Sequence, residues 1–206
     1  IGKKGEKFTL NVAGSIAKDQ SYALYRLTQE TLKRTLFPLS AYAKNDTREV
    51  AKELGLSIAS KPDSQDICFI PNGDYRSFLK MHGISAPNGD FILNGKPLGK
   101  HTGITNYTIG QRRGLGIPYG ERIYVVGFDV KNNNVILGME EELYKKTLEA
   151  VSVNFISGDF PKEKFNCTAK IRYNGPPAPC QAEFADGKLW VEFDTPQRSI
   201  SPGQSV

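Results

Sequence analysis

A cysteine at position 68 lies in the run Asp63-Ser64-Gln65-Asp66-Ile67-Cys68-Phe69-Ile70, where polar residues lead into a short apolar stretch that Pro71-Asn72-Gly73 closes. A thiol at the edge of a buried strand is either an inert small hydrophobe or a positioned nucleophile. The second use needs thiolate character, hence a nearby cation or helix amino terminus, and Lys61 is a cation close in sequence. The other two cysteines, Cys167 and Cys180, sit in strand-like runs flanking Gly175-Pro176-Pro177 and read as packed residues. Three cysteines without a C-x-x-C pair argue against a disulfide framework and for a reducing compartment. With only His82 and His101 to help them, no metal site is expected. A second chemical candidate is Gly110-Gln111-Arg112-Arg113-Gly114-Leu115-Gly116. Its glycine spacing fits neither a dinucleotide fingerprint nor a Walker loop, and Pro118 follows in place of a long helical pattern. It reads as a tight connection that presents Arg112 and Arg113, either structurally or toward RNA or an active site.

The elements that must hold these residues change character along the chain. Asp19 or Ser21 can cap a helix whose Tyr22, Tyr25, Leu32 and Leu36 follow a 3.6-residue period and which Pro38 stops. Asp46-Thr47-Arg48-Glu49 has the capping-box form, with Val50 and Leu54 on one face and Gly55 as terminator. A third helix opens at Asn72 or Asp74, packs Tyr75, Phe78 and Leu79, and ends at Gly83. From about residue 88 the pattern becomes short alternating runs. Residues 90–93 before Asn94-Gly95 predict a hairpin, because that dipeptide tolerates positive φ at both positions. Residues 123–128 precede an Asn-rich turn, and residues 148–155, 166–173, 180–184 and 188–193 read as strands of a small barrel. Glu140-Glu141-Glu142 reads as a solvated helical turn between the two β regions.

Bulk properties narrow the function classes. With 39% hydrophobic and 24% charged residues the 206-residue chain has the composition of a folded domain or two, and disorder is disfavoured. No apolar run reaches the roughly 20 residues of a membrane span, and no signal peptide is evident. The net charge of +5 is uneven: residues 1–120 carry an excess of 7 positive charges and residues 121–206 an excess of 2 negative ones. A basic first part suits contact with a polyanion, although solvated lysines give the same count.

Several segments together resemble the bacterial tRNA-specific 2-thiouridylases, a family with the older name tRNA (5-methylaminomethyl-2-thiouridylate) methyltransferase. They are Lys18-Asp19-Gln20-Ser21-Tyr22, Leu24-Tyr25-Arg26-Leu27, Leu36-Phe37-Pro38, the Cys68 run, and His101-Thr102-Gly103. After these come the stretch from Tyr107 to Ile117, Tyr124-Val125-Val126, Lys170-Ile171-Arg172-Tyr173, and Ser201-Pro202-Gly203-Gln204-Ser205. The resemblance implies an α+β then all-β layout. Residues 1–60 would be the end of an α/β ATP-binding domain of the PP-loop type and residues 61–144 a small central domain. Residues 145–206 would be a β-barrel resembling a translation-factor barrel. The PP-loop segment itself is not in the chain, and from Ile1 to Val206 the sequence reads as a fragment of a longer protein, inactive alone.

In the family reaction, ATP adenylates the O2 carbonyl oxygen of the wobble uridine of tRNA. A cysteine persulfide then delivers sulfur to that carbon, and the resemblance places the persulfide at Cys68. It also implies tRNA contacts at Lys18, Asp19 and Gln20, at Arg172 and Tyr173, and at Gln204. A lysine neutralises phosphate, and carboxylate and amide groups hydrogen-bond base or sugar edges. An arginine fork with a tyrosine ring suits a phosphate and an unpaired base. Strand alternation would send Arg172 and Tyr173 to opposite faces, so a bulge or strand end must intervene if both reach one ligand. The implied partners are tRNA and a sulfur donor such as a cysteine desulfurase or relay protein, in the cytoplasm and without a membrane. A non-catalytic RNA-binding module, indifferent to Cys68, is the competing reading. Nothing resembles an S-adenosylmethionine site, which disfavours a methyltransferase.

Overall fold

A computed structural model of the chain describes residues 1–14, 19–61, 70 and 74–206. The expected site residues Lys18 and Cys68 lie outside the described residues, as does Asn72. Two compact units are present. One comprises Ile1–Asp63, Thr147–Thr195 and Gly203–Val206, the other Ser64–Lys146 and Pro196–Pro202.

The first unit opens with a hairpin of β1 (Gly2–Lys4) and β2 (Lys7–Thr9), followed by a 3-10 turn at Ser21–Leu24. Next come α1 (Gln29–Lys33) and α2 (Lys44–Glu53). The single helix expected after Asp19 is thus broken in two. Thr28 adopts an extended conformation and its hydroxyl accepts from the Thr31 amide, so the helix restarts there. Asn154 supplies the other half of the reason: its Nδ2 donates to the carbonyls of Tyr25 and Leu27, at 2.7 and 2.9 Å, which a continuous helix would have used itself. Helix α2 starts one turn earlier than read, and with Ala43 at the cap only half of the expected capping box forms. Asp46 occupies the third position and its carboxylate accepts from the Ala43 amide.

The same unit contains most of β7 (Tyr144–Ala150), all of β8 (Phe165–Ala169) and β9 (Ala178–Ala185), and most of β10 (Lys188–Arg198), in the sheet order β7-β10-β9-β8. Alternation puts Cys167 and Ala169 of β8, Ala178, Cys180 and Ala182 of β9, and Val191 and Phe193 of β10 toward the interior. Cys167 and Cys180 face each other in register with sulfurs 3.5 Å apart, both as free thiols, so both are packed as expected. The amino-terminal segment is tied to this sheet's approach by side-chain amides. Gln29 bonds the backbone of Phe8 in both directions and the Ile156 carbonyl at 2.6 Å. Residues 148–155 do not run on as one strand: β7 ends at Ala150, and Ser152 takes a left-handed φ of 55°.

The second unit holds α3 (Tyr75–Met81), capped by Asp74, whose carboxylate accepts from the Ser77 amide. Its sheet consists of β3 (Gly89–Leu93), β4 (Lys96–His101), β5 (Tyr124–Asp129) and β6 (Asn134–Gly138), ordered β4-β3-β6-β5. The Asn94-Gly95 hairpin forms as read, with φ of 51° and 75° at the two turn positions. Strand β3 pairs antiparallel with β4 and parallel with β6. Phe91, Leu93, Val125, Val135 and Leu137 from these strands, with Leu115 and Ile123 from the connecting loop, form its core. His101 is a core residue too. Its Nδ1 accepts from the Gly103 amide and its Nε2 donates to the Asn133 carbonyl, both at 3.0 Å, which fixes the tautomer.

Gly89 is required by close approach. A Cβ there would lie 2.0 Å from the Asn133 carbonyl oxygen and 2.7 Å from His101 Nε2. Gly89→Ala should therefore destabilise this unit by about 3 kcal/mol as the strands part to admit a methyl group. Amide exchange in β3 and β6 should accelerate by about two orders of magnitude, and unchanged protection would refute the steric account.

Candidate nucleic-acid interface

In the first unit the fold gathers three segments that are far apart in sequence. The first is held by Asp19. Its carboxylate accepts from the amides of Ala13 and Ser21, at 2.7 and 3.1 Å, and from the Ser21 hydroxyl. This carboxylate starts the 3-10 turn that carries Tyr22, while the Gln20 side chain makes no capping bond and stays exposed. Burial pushes the Asp19 carboxyl upward. The Ser21 hydroxyl, the Ala13 and Ser21 amides and the charge of Lys170 outweigh it, leaving Asp19 below its ordinary 3.8.

The second segment follows β8. That strand stops at Ala169, so Lys170, Arg172 and Tyr173 leave the alternating pattern and enter a turn closed by the Gly175 amide on the Arg172 carbonyl, at 3.0 Å. The strand end required for Arg172 and Tyr173 to serve one ligand is therefore present. Tyr173 packs edge-on to Tyr22 with ring centroids 6.2 Å apart, and the Lys170 ammonium lies 5.9 Å from the Tyr22 ring and 5.6 Å from the Tyr173 ring. Burial raises the Tyr22 phenol above its usual value, opposed by the charge of Arg172 and reinforced by Tyr25. The third segment is the carboxy-terminal one. The Tyr22 hydroxyl donates to the Ser205 carbonyl at 2.6 Å, fixing the backbone next to Gln204, which is exposed.

Asp19, Gln20, Arg172, Tyr173 and Gln204 thus lie on segments joined through Tyr22. A cavity of about 340 Å³ opens beside them, lined by Ser21, Tyr22, Tyr25, Cys167 and Lys170 among others. The arrangement offers a cation, two aromatic rings and exposed amides. Arg172 is half-buried and Tyr173 is 42% exposed. Sequence reading missed Tyr22 and Lys170 as members. Both stood inside the quoted motifs, but a lysine shared by two rings is a tertiary fact. Asp19 also shapes its surroundings, since its Oδ1 accepts from Ser21 and its Oδ2 from the Ala13 amide. Arg112 and Arg113 are on the second unit, exposed, on a loop with left-handed glycines at 110, 114 and 116.

Lys170→Met should raise the Asp19 midpoint, because a favourable charge is lost, and carbon NMR of the carboxyl would read the shift. A folded pKa below the unfolded one means that Asp19 stabilises the fold above the carboxylate range. That contribution is lost as pH falls through the folded value. An unchanged midpoint would remove Lys170 from the electrostatics of this turn.

Among the described residues no group of three or more His, Cys, Asp or Glu is placed to hold a metal ion, and no helix is long and apolar enough to cross a membrane. Three family models match in succession. Residues 2–72 match the tRNA methyl transferase HUP domain, 76–139 the tRNA methyl transferase PRC-barrel domain, and 145–206 the aminomethyltransferase beta-barrel domain. Curated relatives named tRNA-specific 2-thiouridylase MnmA are similar over nearly the whole chain. The Acetivibrio thermocellus protein is 47% identical over 98% of this chain and 57% of its own length. The Clostridioides difficile protein is 44% identical over 97% and 56%, and that of Pelotomaculum thermopropionicum 42% over 100% and 58%. The chain therefore spans a little over half the length of the curated relatives it matches.

Proposed function

Since the chain belongs to the tRNA-specific 2-thiouridylase family, we propose that it forms part of a cytoplasmic tRNA-uridine 2-sulfurtransferase and supplies the persulfide cysteine and part of the tRNA grip. Cys68 carries the persulfide. Its terminal sulfur attacks C2 of the adenylated wobble uridine, a second thiol captures the Cys68 sulfur as a disulfide, and AMP departs with the original oxygen. The ATP-binding segment and the second thiol belong to the longer polypeptide, as does docking of a sulfur-donor protein. Residues 1–60, 61–144 and 145–206 correspond to the end of the ATP-binding domain, the central domain and the barrel.

One observation supports the tRNA part of this reading above all others: Tyr22 joins the 19–22, 170–173 and 203–206 segments into one aromatic and cationic surface. Unpaired RNA bases stack on aromatic rings, and arginine and lysine hold the adjoining phosphates. Lys18, Asp19, Gln20, Arg172, Tyr173 and Gln204 are the proposed contacts, with Asp19 acting mainly by shaping its turn. The test is complementation. The longer polypeptide is expressed in cells without their own 2-thiouridylase, and digested tRNA is analysed by mass spectrometry. Appearance of 2-thiouridine is expected. Folded, expressed protein that binds tRNA yet gives no 2-thiouridine beside a compatible sulfur donor would leave the non-catalytic RNA-binding module.

A further inference from the structure

We propose that the loop over residues 110–123 of the second unit is a separate phosphate-binding surface for an RNA backbone, formed by Arg112, Arg113 and Arg122. The inference rests on the RNA-binding part of the function proposed above but concerns different residues. Arg112 and Arg122 line one concavity of about 400 Å³, together with Tyr119, Glu121 and the backbone around Gly114 and Gly116. Arg113 is exposed next to them. Glu121 is the single acid in the loop, which leaves an excess of two positive charges. None of the three guanidinium groups has an ion-pair partner among the described residues. Elsewhere in this unit Lys100 pairs with Asp90 and Arg198 with Glu140. A cluster of unneutralised arginines is costly in self-repulsion unless an anion completes it.

The loop's backbone is fixed before any ligand arrives. The Gly110 amide donates to the Val125 carbonyl at 2.8 Å and the Val125 amide to the Gln111 carbonyl at 2.9 Å. The Gln111 side chain accepts from the Thr108 amide at 3.1 Å and donates to the Arg113 carbonyl at 2.9 Å. Leu115 and Ile123 anchor the loop in the core. Little ordering entropy then remains to be lost on binding. The glycine spacing and the absence of a following helix do not suit a nucleotide pyrophosphate. Three arginine forks distributed over one loop instead suit successive phosphates of a polyanion, with the 42%-exposed Tyr119 ring available to a base or ribose.

The experiment measures binding of the 206-residue chain to unmodified tRNA between 50 and 200 mM salt, compared with the triple variant Arg112→Gln, Arg113→Gln, Arg122→Gln. Each lost phosphate contact flattens the plot of log affinity against log salt by about 0.7 to 0.9, so the triple variant should be flatter by about 2 and bind roughly 10- to 100-fold more weakly. The corresponding triple lysine variant should keep more than half of the slope. Unchanged amide exchange would show that the glutamine variant is folded. Binding of tRNA with the parental slope in the glutamine variant overturns the inference and leaves the proposed function standing. If the chain binds no tRNA, the same titration with single-stranded polyuridine decides. A slope that still falls in the glutamine variant upholds the phosphate surface while the tRNA reading fails; an unchanged slope, or no binding, overturns both.

Discussion

Cys68→Ser in the longer polypeptide should reduce 2-thiouridine below detection, a loss of at least about 10³-fold, while tRNA affinity stays within about twofold. A serine hydroxyl cannot carry a persulfide, so the loss is chemical and requires no change in fold. The described cysteines do not offer a substitute. Cys180 is 3% exposed, and burial, followed by its bond to Cys167, the charge of Cys167 and that of Asp194, pushes its thiol up to about 12. At neutral pH that keeps the Cys180 sulfur protonated, whereas the thiolate is the form that attacks. Cys167 is half-buried and occupied by its contact with Cys180 at 3.5 Å. Cys167→Ser and Cys180→Ala should accordingly leave thiolation within a few-fold of the parent. Equal thiolation by Cys68→Ser and the parent would remove Cys68 from the mechanism, whereas loss in Cys167→Ser would move the sulfur carrier to the barrel.

Some local signals were legible where local forces decide the outcome. Asn94-Gly95 specified its hairpin because two adjacent positive φ angles are a property of the dipeptide, and Asp74 and Gly83 bracketed α3 for the same kind of reason. The helix read from Asp19 to Leu36 failed partly at the Thr28 cap and partly because Asn154, more than a hundred residues away, takes two of its carbonyls. Periodicity cannot register a distant competitor for backbone acceptors. The site divided along the same line. Alternation read the strand through Tyr173 and asked for a bulge or strand end only if Arg172 and Tyr173 serve one ligand; β8 stops at Ala169. The role of Lys170 between two tyrosines and beside Asp19 was not legible, since it exists only once β8 and the 19–22 turn are brought together. Family resemblance supplied Lys18 and Cys68, which lie outside the described residues.

Tyr173→Ala should weaken tRNA binding by about 5- to 150-fold, the 1–3 kcal/mol that stacking of one base on an aromatic ring contributes. Tyr173→Phe should retain most of that affinity, because the ring face and not the hydroxyl is the proposed contact. Arg172→Gln acts through phosphate, so its effect should fall evenly across RNA sequences and flatten the salt dependence by about 1. Combining the alanine and glutamine changes should cost less than their sum, because both residues belong to one turn and share Tyr22 as a neighbour. Tyr173 is 42% exposed, so the fold should survive its loss, and the fluorescence of Trp190, the chain's single tryptophan and a residue of the same unit, offers a check on folding. Loss of affinity in Tyr173→Phe equal to that in Tyr173→Ala would replace stacking with a hydroxyl contact. Full affinity in the double variant would take this turn out of the RNA interface altogether.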